Sequence, residues 1–393
     1  MRYFSAASHK EGTMANGRRG HGEGSIFRRA DGYWTASVDL GRREGKRCRK
    51  TIYGKTRREV SDKLKAILRD QQLGTLPTGP NVKLGVYLER WLEDVARRKV
   101  RPMTFKSYSG LLRVHVIPEL GDRSLEKLSV ADVRGLLNRK SDSRLSLRTV
   151  HHIRAVLRTA LAAAVRDGMV PRNVAALAGA PQVPDHEMKV LEPEQAGRLL
   201  EVVKGDRLEA LYTVALSLGL RQGEALGLRW EDIDLDGGTL TVSYALQRID
   251  GEYRLVRPKT KKSEGRVIAL PDRTLAALRE HKIRHRKEQL ASKVWVGTEH
   301  DLVFTDDHGL PLSGTDLTKR FKRLLKSAGL PEIRFHDLRH SCATLLLVQG
   351  IPAKVVADIL GHSTVNLTLN TYSHVVPALR REAAAAMDRA LGG

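Results

Sequence analysis

Six residues in the C-terminal half of the chain could together carry out chemistry on a phosphodiester. In chain order, with the phrases that contain them, they are Arg221 in GLRQGEALGLRW, Lys259 in RPKTKKSEGRVIAL, His336 and Arg339 in FHDLRH, His362 in LGHS, and Tyr372 in NTYSH. Cutting a phosphodiester without a metal needs a nucleophile that attacks phosphorus, positive charge for the non-bridging oxygens, and a proton for the departing 5′ oxygen.

Each side-chain type in this set suits one of those tasks. A guanidinium meets phosphate through two parallel hydrogen bonds and stays charged. A lysine pKa can be lowered, which suits proton donation, and histidine can hydrogen-bond the phosphate or handle the nucleophile's proton. A tyrosine hydroxyl can form a covalent phosphotyrosyl bond that preserves the phosphodiester energy for rejoining. The set predicts strand cleavage and rejoining with no metal and no cofactor.

The order of these residues, and the phrases around them, resemble the tyrosine recombinases, also called the phage integrase family. The most specific part is HDLRH followed by LGHS, with Tyr-Ser-His ten residues after that histidine. The resemblance implies a site-specific recombinase, the integrase of a phage or another integrative mobile element. It also implies an arm-type DNA-binding domain, a helical core-binding domain and a C-terminal catalytic domain.

Carried over to this sequence, the resemblance implies a role for each residue. Tyr372 would attack the scissile phosphate and form a 3′-phosphotyrosyl intermediate, while Arg221 and Arg339 would bind the phosphate. Lys259 would lie in the turn between the second and third strands of the catalytic domain and protonate the leaving oxygen. Its neighbours at positions 261 and 262 are also lysines, so the register of this acid stays open.

The histidines and one acid complete the implied site. His336 would act as an acid/base partner of the tyrosine, and His362 would hydrogen-bond the phosphate. Glu224 follows Arg221 by three residues on the same predicted helix and could buttress that arginine. His340 is expected to be a structural histidine.

Composition agrees with a nucleic-acid partner. The 393 residues include 68 Lys and Arg against 45 Asp and Glu, a formal net charge of +23, and 41% of them are hydrophobic. That is too apolar for a disordered chain, and the excess charge favours a polyanion. The two cysteines, Cys48 and Cys342, have no metal-ligand spacing. With no signal-peptide pattern and no run of about 18 apolar residues, a cytoplasmic protein is expected, with no membrane partner.

Three blocks must position these residues, and the expected fold is α+β and multidomain. Residues 1–21 are expected to be a flexible extension, with Met14 as an alternative start. Residues 22–75 predict a small three-stranded β-sheet plus a helix, with a dense basic surface for DNA. Its basic residues are Arg28, Arg29, Arg42, Arg43, Lys46, Arg47, Arg49 and Lys50.

Residues 83–180 predict an all-α, four-helix core-binding domain of the SAM-like type, whose second helix should end near Pro118. Residues 187–393 predict a mostly α catalytic domain with a small antiparallel sheet. Its alanine-rich last helix, after Pro377, either docks on a neighbouring protomer or folds back on its own domain.

Double-stranded DNA carrying attachment sites is the expected partner, bound by a homo-tetramer. An excisionase-type accessory protein and a host DNA-bending protein are further partners by family analogy. Two alternatives stay open: a type IB topoisomerase, which uses similar phosphate chemistry, and a catalytically silent DNA-binding regulator derived from an integrase. The DNA target sequence does not follow from these residues.

Overall fold

The chain falls into two compact units, Met1–Pro184 and Asp185–Gly393. The computed structural model describes residues 25–43, 46–72, 82–184, 188–258, 260, 262–297, 299–371, 384 and 387–391, some of them in backbone alone. The predicted extension over residues 1–21 lies outside the described residues. No helix in this described part combines the length and apolar character that crossing a bilayer requires.

A three-stranded antiparallel sheet and one helix begin the first unit. The elements are β1 (Ser25–Arg28), β2 (Trp34–Arg43), β3 (Lys46–Gly54) and α1 (Arg57–Gln72), with strand order β1-β2-β3. Alternate residues of β2, Ala36 and Val38, are fully buried and pack with Val60 and Leu64 of α1. The buried side chains on one face of the strand and the apolar stripe of the helix pack together in one small core, as the sequence pattern predicted.

The rest of the first unit is helical. Its helices are α2 (Leu84–Trp91), α3 (Arg97–Lys99), α4 (Pro102–Leu111), α5 (Ile117–Leu120), α6 (Val130–Asp142), α7 (Leu147–Arg166) and α8 (Val174–Leu177). The π-helical turns Leu92–Ala96 and Leu112–Val116 join α2 to α3 and α4 to α5. Ser129 caps α6 through a capping box with Asp132. Four long helical segments therefore enclose a core of their own, as predicted.

One predicted boundary in this bundle is wrong. The second long segment does not stop near Pro118 but continues through α5 to Leu120. Pro118 lies in the first turn of α5, immediately after a π-helical turn. A proline is tolerated in a first turn because the N–H that it lacks has no intrahelical acceptor there.

The second unit is mostly helical, with small antiparallel sheets. Its helices are α9 (Pro193–Val202), α10 (Glu209–Leu218), α11 (Gln222–Leu226), α12 (Asp272–Ala291), α13 (Gly314–Ser327), α14 (Asp337–Val348), α15 (Ala353–Leu360) and α16 (Val365–Thr371). Its strands are β4 (Ile233–Asp234), β5 (Thr239–Val242), β6 (Ala245–Ile249), β7 (Glu252–Val256) and β8 (Arg266–Ala269). Short 3₁₀ turns occur at Leu125–Lys127 in the first unit and Trp230–Asp232 in the second.

These strands form two sheets, β4-β5-β8 and β6-β7, so the predicted small sheet is present in two parts. The segment 257–265, which contains Lys259, leads from the hairpin β6-β7 to the edge of the other sheet. In the main core of this unit, Tyr212 of α10 stacks on Phe321 of α13, with ring centroids 5.7 Å apart. This core holds α10, α13 and α14 in place, and α10 and α14 lead to the candidate site.

Candidate active site

Arg221 occupies the N-cap position of α11, two residues after a left-handed glycine ends α10. Gly219 has φ +61°, and a Cβ there would lie 2.4 Å from the side chain of Leu360. Glycine is therefore required by both backbone conformation and space. The resulting sharp turn carries Arg221, whose Nη1 donates to Glu224 Oε1 at 2.7 Å and whose backbone N–H donates to Glu224 Oε2 at 3.1 Å.

Glu224 links this arginine to a second one. Its Oε2 also accepts from Arg266 Nη2 at 2.7 Å, and the carboxylate is almost completely buried. Burial alone would raise the pKa of Glu224, but the hydrogen bond and charge of Arg266, together with Arg221, hold that pKa below its ordinary value. The prediction that Glu224 buttresses Arg221 agrees with this geometry.

Arg339 lies on α14 and is only 2% exposed. Its Nη1 donates to the carbonyl oxygen of Gly219 at 2.8 Å, so it reaches the same turn that presents Arg221. A buried guanidinium directed at the turn that holds another one creates a concentrated positive field.

His336 precedes α14 and reaches solvent, and its ring meets that of His340 edge-on, with centroids 5.2 Å apart. Partial desolvation and the charge of Arg339 lower the pKa of His336, and desolvation together with His336 lowers the pKa of His340 to about 4. His340 thus lies beside the site rather than away from it, and both rings favour the neutral form.

His362 follows α15 and its left-handed end residue Gly361. The imidazole is 6% exposed, and its Nδ1 lies 2.7 Å from the hydroxyl of the fully buried Thr368. Burial, then the charges of Arg339 and Arg221, lower the pKa of His362 to about 4. A neutral imidazole whose Nδ1 is fixed by a hydroxyl is suited to hydrogen-bonding through Nε2.

Four of the six predicted residues therefore converge on one place. Arg339 bonds the carbonyl of Gly219, two residues before Arg221, and Arg221 Nη2 donates to the carbonyl of Gly361 at 3.3 Å. His362 directly follows Gly361, and His336 lies three residues before Arg339. Two permanent cations beside neutral hydrogen-bonding rings are an arrangement chemically suited to a phosphate anion. Within the described residues there is no group of acidic, histidine or cysteine side chains that could hold a metal ion.

Lys259 and Tyr372 lie outside the described residues, so their roles stay predictions. Their neighbours are described. Thr260 contacts the site through Ser263, and α16 ends at Thr371, immediately before the tyrosine.

The basic residues of the N-terminal sheet are partly described. Four of them have exposed side chains: Arg28, Arg29, Arg49 and Lys50. The other four are described as strand residues only, and Arg42 pairs with Arg47 while Arg43 pairs with Lys46 across β2 and β3.

Sequence reasoning missed two residues of the site, Ser263 and Arg266. Arg266 lies at the start of β8, and besides Glu224 its guanidinium binds the carbonyl of Ile359 at 3.0 Å. Both occur within the phrase RPKTKKSEGRVIAL that was singled out for its lysine. The available signal was an arginine directly before the apolar run VIAL, because a charged residue that opens a buried strand needs a partner.

Comparisons with known proteins agree with this site. The sequence profile of the phage integrase family matches residues 189–378, and that of the phage integrase N-terminal SAM-like domain matches residues 83–141. The chain is 32% identical to the "Tyrosine recombinase XerC-like" of Caldanaerobacter subterraneus subsp. tengcongensis, over 89% of this chain and 94% of that one.

Two solved structures share the fold. The Tn1549 transposon integrase in complex with transposon right end DNA is 25% identical, with a TM-score of 0.67 over 78% of this chain and 99% of that one. A lambda integrase tetramer bound to a Holliday junction is 19% identical, with a TM-score of 0.55 over 90% and 96%, respectively. The chain therefore belongs to the phage integrase family, and it is a site-specific DNA recombinase of the integrase type.

Proposed function

We propose that this integrase cuts and rejoins DNA through Tyr372, using the phosphate site described above. The tyrosine oxygen attacks phosphorus, the P–O5′ bond breaks, and a 3′-phosphotyrosyl bond with a free 5′ hydroxyl results. Attack by the 5′ hydroxyl of a second strand reverses these steps and releases Tyr372. The energy of the phosphodiester is thereby conserved, and no ATP is needed.

The convergence of Arg221, Arg339, His336 and His362 is the observation that carries the proposal. Two guanidiniums suit the charge that develops on the non-bridging oxygens, since both remain cationic at any working pH. His362, held neutral by its surroundings, is suited to donate a hydrogen bond to one of those oxygens. His336 is suited to accept the tyrosine proton for the same reason, because a neutral imidazole is a base.

Lys259 is the proposed general acid that protonates the leaving O5′. Thr260, the next residue, contacts Ser263, which contacts Arg221, so the loop that carries this lysine approaches the arginine. The lysines at positions 261 and 262 share that loop, and Lys259 is proposed over them from the family resemblance. A lysine can serve because a neighbouring cation and partial desolvation make its proton easier to give up.

We propose three domains with separate tasks: arm-site binding by residues 22–75, core-site binding by residues 83–180, and catalysis by residues 187–393. Separate hydrophobic cores in each of these ranges support the division. For the first domain, the exposed side chains of Arg28, Arg29, Arg49 and Lys50 favour contact with the DNA backbone.

A tetramer that exchanges strands in two rounds through a four-way junction is the proposed assembly, by analogy with the lambda integrase tetramer. Integration and excision would take place in the cytoplasm, where a mobile element and its bacterial target meet. An excisionase-type protein and a host DNA-bending protein are proposed as accessory partners on family analogy alone.

Covalent capture tests the chemistry. The purified protein is incubated with nicked suicide duplexes carrying candidate attachment sites from the two ends of its element, and denaturing gels are scored for a protein–DNA adduct. We expect an adduct with the wild type and none with Tyr372→Phe, which keeps the ring and removes only the hydroxyl. A matched control is Tyr253→Phe, a tyrosine of β7 packed against the main core.

Each other outcome points elsewhere. If the protein binds DNA but forms no adduct on any duplex, the alternative of a catalytically silent DNA-binding regulator is favoured. If the protein forms an adduct and relaxes supercoiled DNA but does not join two sites, it is a topoisomerase. If Tyr372→Phe still forms an adduct, Tyr372 is not the nucleophile.

A further inference from the structure

Ser263 is fully buried at the meeting point of three segments of the site. Its Oγ accepts from Arg221 Nη1 at 2.9 Å and from the hydroxyl of Thr260 at 2.8 Å, and it donates to the carbonyl of Gly361 at 2.9 Å. A serine hydroxyl has one donor and two acceptor positions, so these contacts use all of them. No solvent is needed to satisfy the group.

Each of those three partners belongs to a different part of the proposed chemistry. Arg221 binds the phosphate, Thr260 is the neighbour of Lys259, and Gly361 is the neighbour of His362. The contacts span 42 residues of chain on one side and 98 on the other. The strands on either side of this loop, β7 and β8, belong to different sheets and do not pair with each other. The Ser263 hydroxyl therefore links segments that no backbone ladder holds together.

The backbone around Ser263 reinforces this tie. Its N–H donates to the Thr260 carbonyl at 3.0 Å, and its own carbonyl accepts from Arg266 Nη1 at 3.2 Å. A Cβ on Gly361 would come 2.6 Å from Ser263 Oγ, so the approach of the two segments depends on the glycine. The turn from 260 to 263 is therefore anchored from inside the site.

We infer that Ser263 is a positioning residue that sets the loop bearing Lys259 in register with Arg221 and Gly361, so that the lysine can protonate the leaving oxygen. This inference rests on the proposed function. It assigns the hydroxyl to the loop rather than to Arg221 because the guanidinium keeps its hydrogen bonds to Glu224 and to the carbonyl of Gly361 without it. The loop would lose the bond between the two hydroxyls and keep only the longer contact from the Thr260 hydroxyl to the carbonyl of Gly361, at 3.4 Å.

A change of leaving group distinguishes positioning of the Lys259 loop from support of Arg221. In the reaction the Tyr372 Oη–P bond forms, the P–O5′ bond breaks, and O5′ takes a proton from the Lys259 ammonium. If sulfur replaces the bridging 5′ oxygen, the departing group is a thiolate, whose conjugate acid is a far stronger acid than an alcohol. The thiolate departs without a proton, so neither Lys259 nor a residue that positions Lys259 is needed. Charge neutralisation by Arg221 is still required.

The experiment compares full-length variants on suicide duplexes with oxygen or sulfur at the 5′ bridging position, measuring the rate of adduct formation. We expect Ser263→Ala to be slower by about 10- to 100-fold on the oxygen duplex, because a misplacement of about 1 Å can cost that much. On the sulfur duplex we expect a rate close to wild type. Lys259→Ala should show the same pattern with a larger deficit, and Arg221→Lys a deficit on both duplexes.

The matched control is Ser243→Ala, which removes a serine hydroxyl that bonds Asp232 at 2.6 Å in the same domain. It should be unchanged on both duplexes. Should Ser263→Ala fail to fold, Thr260→Val removes the other hydroxyl of the turn at a half-buried position, and the same recovery by sulfur is expected.

A Ser263→Ala deficit of equal size on both duplexes, or no deficit on either, would overturn the positioning role. Failure of the proposed function looks different, since the wild type would then form no adduct, or Lys259→Ala would show no deficit on the oxygen duplex.

Discussion

A buried arginine that reaches the turn carrying Arg221 is the sharpest test at the scale of single residues. Arg339 is 2% exposed, and it donates to Gly219 beside Arg221. We expect Arg339→Ala to lower the rate of adduct formation by about 10²–10³-fold, since it removes a preorganised partner of the developing charge. Arg339→Lys keeps the charge but loses the planar fork, and it should recover only part of the rate. Suicide-duplex capture measures both.

The control for this pair is Arg273→Ala, on α12, whose exposed side chain pairs with Glu201 at 2.6 Å. An exposed ion pair contributes little to stability, so this variant should cleave like the wild type. A Lys variant as active as the wild type would show that a point charge suffices and that two-pronged phosphate binding is not used.

Buried histidines give the protein an acid-sensitive stability. His281 is 2% exposed, and burial lowers its pKa to about 4, as happens for His340 and His362. In the unfolded chain such groups titrate near 6.5. Between pH 6.5 and 4 the unfolded state therefore binds more protons, and stability falls as pH falls, by about 1.4 kcal/mol per pH unit for each histidine.

We expect calorimetry at pH 7 and pH 5 to show a lower Tm at pH 5, and a smaller drop for His281→Phe. Phenylalanine preserves the ring contacts with Trp230 and Phe304 but cannot take up a proton. His300→Gln, at an exposed position, should keep the full drop. A His281→Phe drop as large as that of the wild type would mean that this ring does not contribute to the pH dependence.

At the scale of elements, two helices end in left-handed glycines with different surroundings. Gly361, after α15, has φ +65° and would place a Cβ 2.6 Å from Ser263 Oγ, whereas Gly350, after α14, has φ +76° with nothing within 4 Å. Alanine at either position should cost about 1–2 kcal/mol of stability because of the backbone conformation. Only Gly361→Ala should also displace the lysine loop, and we expect its adduct formation to fall at least tenfold in folded protein.

Gly350→Ala is thus the matched control, with thermal unfolding and suicide-duplex capture measured on both variants. Equal cleavage by the two would show that the contact between α15 and the loop is not needed for catalysis.

Elements of the fold differ in how well their own sequence specifies them. The strand β2 and the helix α1 were predicted because Ala36, Val38, Val60 and Leu64 follow their structural periods locally. The end of the helical segment that runs from α4 to α5 was not predicted. This segment contains a π-helical turn, which depends on packing of the surrounding bundle rather than on a local signal.

The residues of the site also differ in whether their local sequence reveals them. Arg221, Arg339 and the histidines are recognisable because short phrases surround them. Ser263 acquires its role from contacts with Arg221, 42 residues away, and Gly361, 98 residues away, so no local pattern could have revealed it. Long-range contacts between irregular segments are where sequence reasoning stops.

At the scale of the whole molecule, the net charge of +23 makes DNA affinity dependent on salt. Neutralising a phosphate releases bound counterions, so the logarithm of the binding constant falls with the logarithm of salt concentration by about 0.9 for each contact. The exposed side chains of Arg49 and Lys50 on β3 are proposed contacts of this kind.

We expect the double variant Arg49→Gln/Lys50→Gln to bind a long attachment-site duplex more weakly at low salt and to reduce the slope by about 0.9 for each contact that it removes. Fluorescence anisotropy across a salt series gives both quantities. Lys65→Gln removes an exposed charge from α1 and should leave the slope unchanged if the sheet, rather than the helix, faces DNA. Capture on a short core-site suicide duplex should be unaffected by either variant, since the phosphate site belongs to the other unit. An unchanged slope in the double variant would remove β3 from the proposed DNA interface.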